Sequence, residues 1–334
     1  MLQLDAPQVA MRLGRGPLID ALMRAFRADY QAPDRQHYAV GGPLNPKDTL
    51  LVMPAWRVGG RLGVKLVTVF PGNTRQGESA VHATYALFDA ATGLPLAVLD
   101  GTELTRRRTA AASALAARYL APPDATRLLM VGTGGLAPHV IESHAAVRSI
   151  SSVRVWGRRM EAAETVARGL AGRPYEVEAV SDLPAAVHWA DIISCATLSE
   201  TPIVHGAWLR PGQHLDLIGS FTPAMREADD AALSRAGIYV DTRMALSESG
   251  ELLHGFASGV ISAADVRGEL SDLVRGSVAG RRAAEEITLF KSVGCAIEDL
   301  AAAELAIAAV TRTAKRMHQS FCTTTRPLGL TKTW

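Results

Sequence analysis

Val131-Gly132-Thr133-Gly134-Gly135-Leu136-Ala137 follows the Gly-x-Gly-x-x-Gly/Ala spacing that turns a strand sharply into a helix over a phosphate. Gly132 permits the tight turn, Gly134 lets backbone approach a pyrophosphate, and the small Ala137 allows close helix packing. Phosphate oxygens would then meet unpaired amides at the helix start, where the helix dipole favours an anion. Gly132, Thr133, Gly134, Gly135, Leu136 and Ala137 are therefore candidate dinucleotide-binding residues. The end of the next apolar run selects the dinucleotide. Val155-Trp156-Gly157-Arg158-Arg159 carries no carboxylate to accept ribose hydroxyls, and two guanidinium groups suit a 2′-phosphate, so NADP(H) is expected over NAD(H). The plainer reading of Arg158 and Arg159 is a pair of solvated arginines at a helix start.

Two further cations stand where charge is costly. Lys65 lies inside the apolar run Val64-Lys65-Leu66-Val67-Thr68-Val69-Phe70, and Arg108 precedes the alanine-rich stretch Thr109–Ala117. Unpaired burial of either would be unfavourable by several kcal/mol. Each must line a polar cleft or reach solvent from an edge, and a substrate carboxylate would resolve both charges. His82, within another apolar run, could donate a proton, although such a residue is more often simply hydrogen-bonded. No His-x-x-x-His, His/Cys cluster or Asp-x-Asp ladder is present, so no metal site is expected. Neither a Gly-x-Ser-x-Gly elbow nor a Walker loop occurs.

These residues need elements to hold them. Residues from about Pro7 to Ala28 show helical spacing, interrupted near Gly14, Gly16 and Pro17. Four apolar runs follow (Thr49–Trp56, Leu62–Phe70, His82–Phe88 and Leu94–Leu99), with turn residues between them, and predict a β meander. A helix is expected over Thr102–Leu120. Beyond Pro122-Pro123 short strands alternate with helices, the texture of a parallel sheet covered by helices. One more strand is expected over Ile287–Lys291 and an Ala-rich helix from Cys295 to about Arg316. Residues 317–334 show no periodicity and are expected to be loosely ordered.

At 334 residues the chain favours two domains or one large α/β unit. Its formal charge of +2 offers no chain-wide field for nucleic acid or an anionic membrane, so neither is expected as a partner. No run of about 18 apolar residues appears. Met1–Pro7 lacks the basic region and apolar core of a secretory signal, and Cys195, Cys295 and Cys322 are too scattered for a disulfide framework. A soluble protein of the reducing cytoplasm is the expectation.

The ordered set Lys65-Leu66-Val67-Thr68, Asp100-Gly101-Thr102, Arg108-Thr109-Ala110-Ala111, Gly132-Thr133-Gly134 and Phe290-Lys291-Ser292-Val293-Gly294 resembles the ornithine cyclodeaminase/mu-crystallin family, from about Leu18 to Ala309. The resemblance implies an α/β fold with a central Rossmann dinucleotide-binding domain over 121–299. It also implies an α/β substrate-binding and dimerisation domain over 1–120, completed by 300–334, and a homodimer. It marks Lys65 and Arg108, with Arg35, as catalytic and carboxylate-binding positions. Thr109, Thr197, Ser292 and Val293 match family positions near the cofactor.

One departure bears on the reaction. Cyclodeaminases and related alanine dehydrogenases of the family look to carry an acid in the turn before Pro223, where this chain has Phe221. Phenylalanine cannot exchange a proton, so the deaminating steps lose their acid/base group. Reduction of a cyclic imine needs less, because a protonated imine already accepts hydride well. Gly134–His139 and Phe221–Glu227 look most like the family's ketimine reductases. The expected activity is therefore NAD(P)H-dependent reduction of cyclic α-imino acids, Δ1-pyrroline-2-carboxylate to L-proline or Δ1-piperideine-2-carboxylate to L-pipecolate. Ornithine cyclodeamination, an alanine- or opine-type dehydrogenase, and a non-catalytic NADPH-dependent binder of mu-crystallin type are the alternatives.

Overall fold

Asp5 accepts from the Gln8 amide (2.9 Å) while its own amide donates to the Gln8 side chain (3.1 Å), a capping box that starts α1 (Ala6–Arg12) just after the short strand β1 (Leu2–Leu4). Gly14 then separates α1 from α2 (Arg15–Arg27), so the expected interruption makes two helices. Leu18, Ile19, Leu22, Ala25 and Phe26 form the buried face of α2. The computed structural model describes residues 1–308 apart from 43, 44, 46 and 47, with backbone alone at 74–76.

The meander forms as β2 (Gln36–Ala39), β3 (Thr49–Trp56), β4 (Arg61–Val69), β5 (Val81–Asp89) and β6 (Pro95–Asp100), antiparallel neighbours in chain order. β1 adds in parallel to β6, giving the order β1-β6-β5-β4-β3-β2. Strand alternation puts Leu51, Met53, Lys65, Val67, Ala83 and Tyr85 on one face, and Tyr38, Leu66, His82 and Thr84 on the other. The inner face is covered by α3 (Gly101–Leu120), which begins at Asp100, whose carboxylate accepts from the Glu103 amide at 2.7 Å. Ala110–Ala112 and Ala114, Ala116 and Ala117 are buried, and their small side chains let α3 pack against strands of both sheets of the molecule.

The second sheet has eight parallel strands: β7 (Arg127–Val131), β8 (Ser152–Trp156), β9 (Glu176–Val180), β10 (Ile192–Cys195), β11 (His214–Leu217), β12 (Ala236–Val240), β13 (Val266–Glu269) and β14 (Ile287–Lys291). Their order is β13-β12-β14-β11-β10-β7-β8-β9. Helices α4 (Ala137–Ala145), α5 (Met160–Gly169), α6 (Leu183–Trp189), α7 (Asp230–Arg235), α8 (Ala245–Glu248), α9 (Gly250–Ser258) and α10 (Leu270–Arg275) connect them. β7 stands between β8 and β10, where the winding reverses, and such a switch point opens a crevice at the carboxyl ends of the strands. The chain is thus a Rossmann-type α/β protein with a second, largely antiparallel sheet. Two separate apolar cores cover the two faces of the parallel sheet.

A further helix, α11, covers residues 296–308 of the described chain. Leu300, Ala302, Ala303 and Ala306 pack into the core shared by α2, α3 and the inner face of the antiparallel sheet. The remainder of the expected helix to Arg316, and the segment 317–334, lie outside the described residues. No helix among the described residues is long and apolar enough to cross a membrane.

Candidate active site

Between the carboxyl ends of the parallel strands and the inner face of the antiparallel sheet lies a cavity of about 370 Å³. The Rossmann side contributes Gly134, Gly135 and Leu136 after β7, Thr197 after β10, Gly219 after β11, and Ser292 and Val293 after β14. The opposite wall contributes Lys65 from β4 and, from α3, Thr102, Thr105, Arg106, Arg108 and Thr109, residues brought together by the three- and four-residue spacing of one helix face.

The glycine loop has the geometry a dinucleotide needs. Gly132 sits at φ +123°, and a Cβ there would stand 2.6 Å from the Ala196 carbonyl oxygen. A Cβ on Gly134 would meet no heavy atom within 4 Å, so this glycine leaves open space on the cavity side. No side chain caps α4, and no protein acceptor pairs with the amides of Gly134, Gly135 and Leu136 among the described residues. Those amides fit an incoming pyrophosphate. Thr133 packs against Gly157 instead of facing the cavity, and Ala137 is fully buried beneath the loop. Arg158 and Arg159 follow β8 after Gly157, are exposed, and have no ion-pair partner among the described residues.

Glu227 ties together the loops after β10 and β11. Its Oε1 accepts from the Thr197 amide (2.6 Å) and hydroxyl (2.8 Å), and its Oε2 from the Gly219 amide (2.8 Å). Burial pushes this carboxyl up to about 7, against the pull of the buried Lys291 ammonium.

Lys65 and Arg108 are brought together, and neither is unpaired. Lys65 Nζ lies 2.7 Å from Asp299 Oδ2. Arg108 Nε donates to Asp299 Oδ1 at 2.8 Å, and its Nη1 donates to Glu298 Oε2 at 2.7 Å. The expectation that a substrate carboxylate resolves both charges is thereby corrected: two carboxylates of α11, not singled out in the sequence, already stand behind the cations. Burial, followed by the repulsion of Arg108, lowers Lys65 to about 8, with Asp299 holding it up. Arg108 is raised: burial works against its charge, and Asp299 and Glu298 outweigh that effect. Burial lifts Glu298 to about 7 despite the nearby Arg108. Near neutrality the cluster therefore carries a net positive charge whenever Glu298 takes up a proton, which suits an anionic ligand.

Arg35 also borders the cavity. Its Nε donates to Glu248 Oε1 (3.1 Å) and its Nη1 to the Val293 carbonyl (3.2 Å), with a second bond from Nη2 to the same carboxylate. His82 does not border it. The two-residue period of β5 turns Val81 and Ala83 towards the cavity and His82 to the exposed outer face, which removes it as a proton donor within this chain. Phe221 lines the cavity, and no carboxylate does among the described residues. No cluster able to hold a metal occurs among them either.

Gly294 guards the Arg108 arrangement. It has φ +82°, and a Cβ there would come within 2.5 Å of Arg108 Nη1. Gly294→Ala is expected to lower stability by about 1–3 kcal/mol through backbone strain alone. It should also displace the guanidinium, raising the KM for a carboxylate substrate. Thermal melting and steady-state kinetics check both effects.

The chain matches the model of the ornithine cyclodeaminase/mu-crystallin family over residues 6–312. It is 43% identical over 281 residues, 83% of this chain and 88% of the relative, to the Δ1-pyrroline-2-carboxylate reductase of Paracoccus denitrificans. Identity is 36% over 315 residues, 90% and 95% of the two chains, to ketimine reductase mu-crystallin of Rattus norvegicus. Among solved structures, the Thermococcus litoralis Δ1-pyrroline-2-carboxylate reductase in complex with NADH and L-proline superposes with a TM-score of 0.89 at 31% identity, covering 94% of this chain and 98% of that one.

Proposed function

This chain belongs to the ornithine cyclodeaminase/mu-crystallin family, and on that premise we propose that it is an NAD(P)H-dependent reductase of cyclic α-imino acids, forming L-proline from Δ1-pyrroline-2-carboxylate and L-pipecolate from Δ1-piperideine-2-carboxylate. The observation that carries this reading is the cavity itself. It pairs a dinucleotide loop with Lys65 and Arg108, and has Phe221 where deamination would need an acid. The relatives named above act on, or were solved with, molecules of this class.

In this reading Arg108 anchors the substrate carboxylate, with Arg35 on the same rim. Anchoring the carboxylate fixes the imine carbon relative to the dinucleotide, and that placement lowers the barrier. The bound dinucleotide supplies the hydride that reduces the substrate's C2. Lys65, held by Asp299, keeps an ammonium proton beside the imine nitrogen, and a pKa near 8 lets it release that proton readily in neutral solution. Thr109, Ser292 and Val293 shape the nicotinamide end of the cavity. Glu227 holds the Thr197 and Gly219 loops at the spacing a ring can enter.

Residues 121–295 serve the cofactor, whereas 1–120 with α11, which starts at 296 instead of the expected 300, bind the substrate and form a homodimer. The exposed Leu66 and Tyr38 on the outer face of the antiparallel sheet support that pairing. Buried Cys195 and partly buried Cys295 are free thiols, in keeping with the cytoplasm.

The test is a steady-state screen of both cyclic imines, ornithine and alanine against NADPH and NADH. Oxidation of the reduced cofactor with a cyclic imine supports the proposal; no oxidation with either imine refutes it. Ammonia release from ornithine without net NADH production would indicate cyclodeamination instead. Arg158 and Arg159 favour NADPH, which should show the lower KM. Arg158→Ala should erase that preference by raising the NADPH KM alone, and an unchanged ratio of the two KM values would overturn the 2′-phosphate assignment.

A further inference from the structure

Four cations line the cavity, and three have acidic partners: Arg35 with Glu248, Lys65 with Asp299, and Arg108 with Glu298 and Asp299. The fourth is Arg106. No ion pair or hydrogen bond engages its guanidinium among the described residues, although its neighbour Arg107 is bound to Glu103. Successive helix residues point about 100° apart, so α3 sends Arg107 and Arg108 to separate protein partners and leaves Arg106 facing the crevice.

Its position there is specific. Nε, Cζ and Nη2 of Arg106 all lie 3.4 Å from where a Cβ on Gly135 would stand, so the guanidinium covers the glycine loop from across the cleft. Directly beside it are the unpaired amides of Gly134, Gly135 and Leu136, and the loop from Val131 to Pro138 contains no Lys or Arg of its own. The protein thus brings an uncompensated cation to the one part of the cofactor site that is built for phosphate but lacks formal charge.

We propose that Arg106 binds the dinucleotide pyrophosphate from the substrate side of the cleft, clamping it against the Gly134–Leu136 amides. A guanidinium offers paired N–H donors to phosphate oxygens, which a lone loop amide cannot match. Since the pyrophosphate is common to NADH and NADPH, this contact tightens both equally. Arg158, at the far end of the adenosine half, distinguishes them. The inference rests on the reductase reading only in taking the crevice as a dinucleotide site, and α3 then links substrate anchoring through Arg108 to cofactor capture two residues earlier.

The experiment measures equilibrium binding, by nicotinamide fluorescence for NADH and NADPH and by competition for ADP and adenosine, in the wild-type chain and in Arg106→Ala and Arg106→Lys. Arg106→Ala should raise the Kd of NADH, NADPH and ADP by a common factor of about ten or more and leave adenosine unchanged. Arg106→Lys should recover part of the loss. A general structural defect would weaken adenosine as well and would lower the ligand-free melting temperature, so that pattern counts against the proposal. Unchanged dinucleotide Kd values overturn it, as does a loss confined to NADPH or an effect only on the KM of the imine. Failure of the wild-type chain to bind any dinucleotide would instead overturn the cofactor-site reading, an outcome distinct from equal binding by wild type and variant.

Discussion

Replacing Lys65 by methionine is expected to lower kcat for imine reduction by about 10²–10⁴-fold, the usual range for loss of a positioned general acid. Dinucleotide affinity should stay close to that of the wild-type chain, since Lys65 projects into the cavity from the antiparallel sheet, the wall opposite the glycine loop. The pH profile gives a second readout with a definite sign. Lys65 donates only when protonated, and burial with Arg108 repulsion lowers it to about 8, so the wild-type rate should fall as pH rises through about 8. Titration of the imine substrate itself would persist in Lys65→Met, whereas the limb belonging to the ammonium would vanish from its residual activity. An active Lys65→Met variant with an unaltered profile would remove lysine from the chemistry.

Asp299→Ala is expected to be the most damaging substitution to stability. Asp299 touches Lys65 through one oxygen and Arg108 through the other, all three side chains are nearly inaccessible, and removing one member of a buried ionic cluster typically costs about 3–5 kcal/mol. The variant should melt well below the parent. A carboxylate ligand such as L-proline should recover more of that loss than it adds to the parent, because it returns an anion to the two stranded cations. Since Asp299 also holds the Lys65 proton, the alkaline limb in this variant should move below pH 8. A melting temperature equal to that of the parent would contradict the central place given to Asp299.

Much of this architecture was legible in the residues. Periodicity located Thr49–Trp56 and Ile287–Lys291 with the boundaries they have, because runs this apolar and this short have few other ways to bury themselves. β1, β2 and β13 escaped for the opposite reason. They have three or four residues each and owe their pairing to β6, β3 and β12, partners that no local pattern announces.

At the site, Lys65 and Arg108 stood out because a charge within an apolar context demands an explanation. What answered them could not be read the same way. Glu298 and Asp299 sit at the start of an ordinary Ala-rich helix, where acidic residues are common for reasons of helix electrostatics alone. Only the packing of α11 across α3 shows that they face two buried cations. Two costly cations require anions, and adjacent carboxylates leading into a buried alanine stretch are the natural supply. His82 failed on parity, since one step along a strand reverses the face and the residues of β5 did not reveal which parity was inward. Arg106 was visible as one of three consecutive arginines, but their divergence around the helix became informative only once Arg107 and Arg108 had partners.

The placement of α11 also bears on how the protein is made. Arg108 and Asp299 are 191 positions apart, and Glu298 is 190 from the same arginine. At translation rates of roughly 5–20 residues per second, the antiparallel sheet leaves the ribosome some ten to forty seconds ahead of the acids that neutralise its lysine. Until those acids arrive, closing that sheet over Lys65 would bury an ammonium without its partner, at a cost of several kcal/mol. Closure of the sheet without that cost awaits α11.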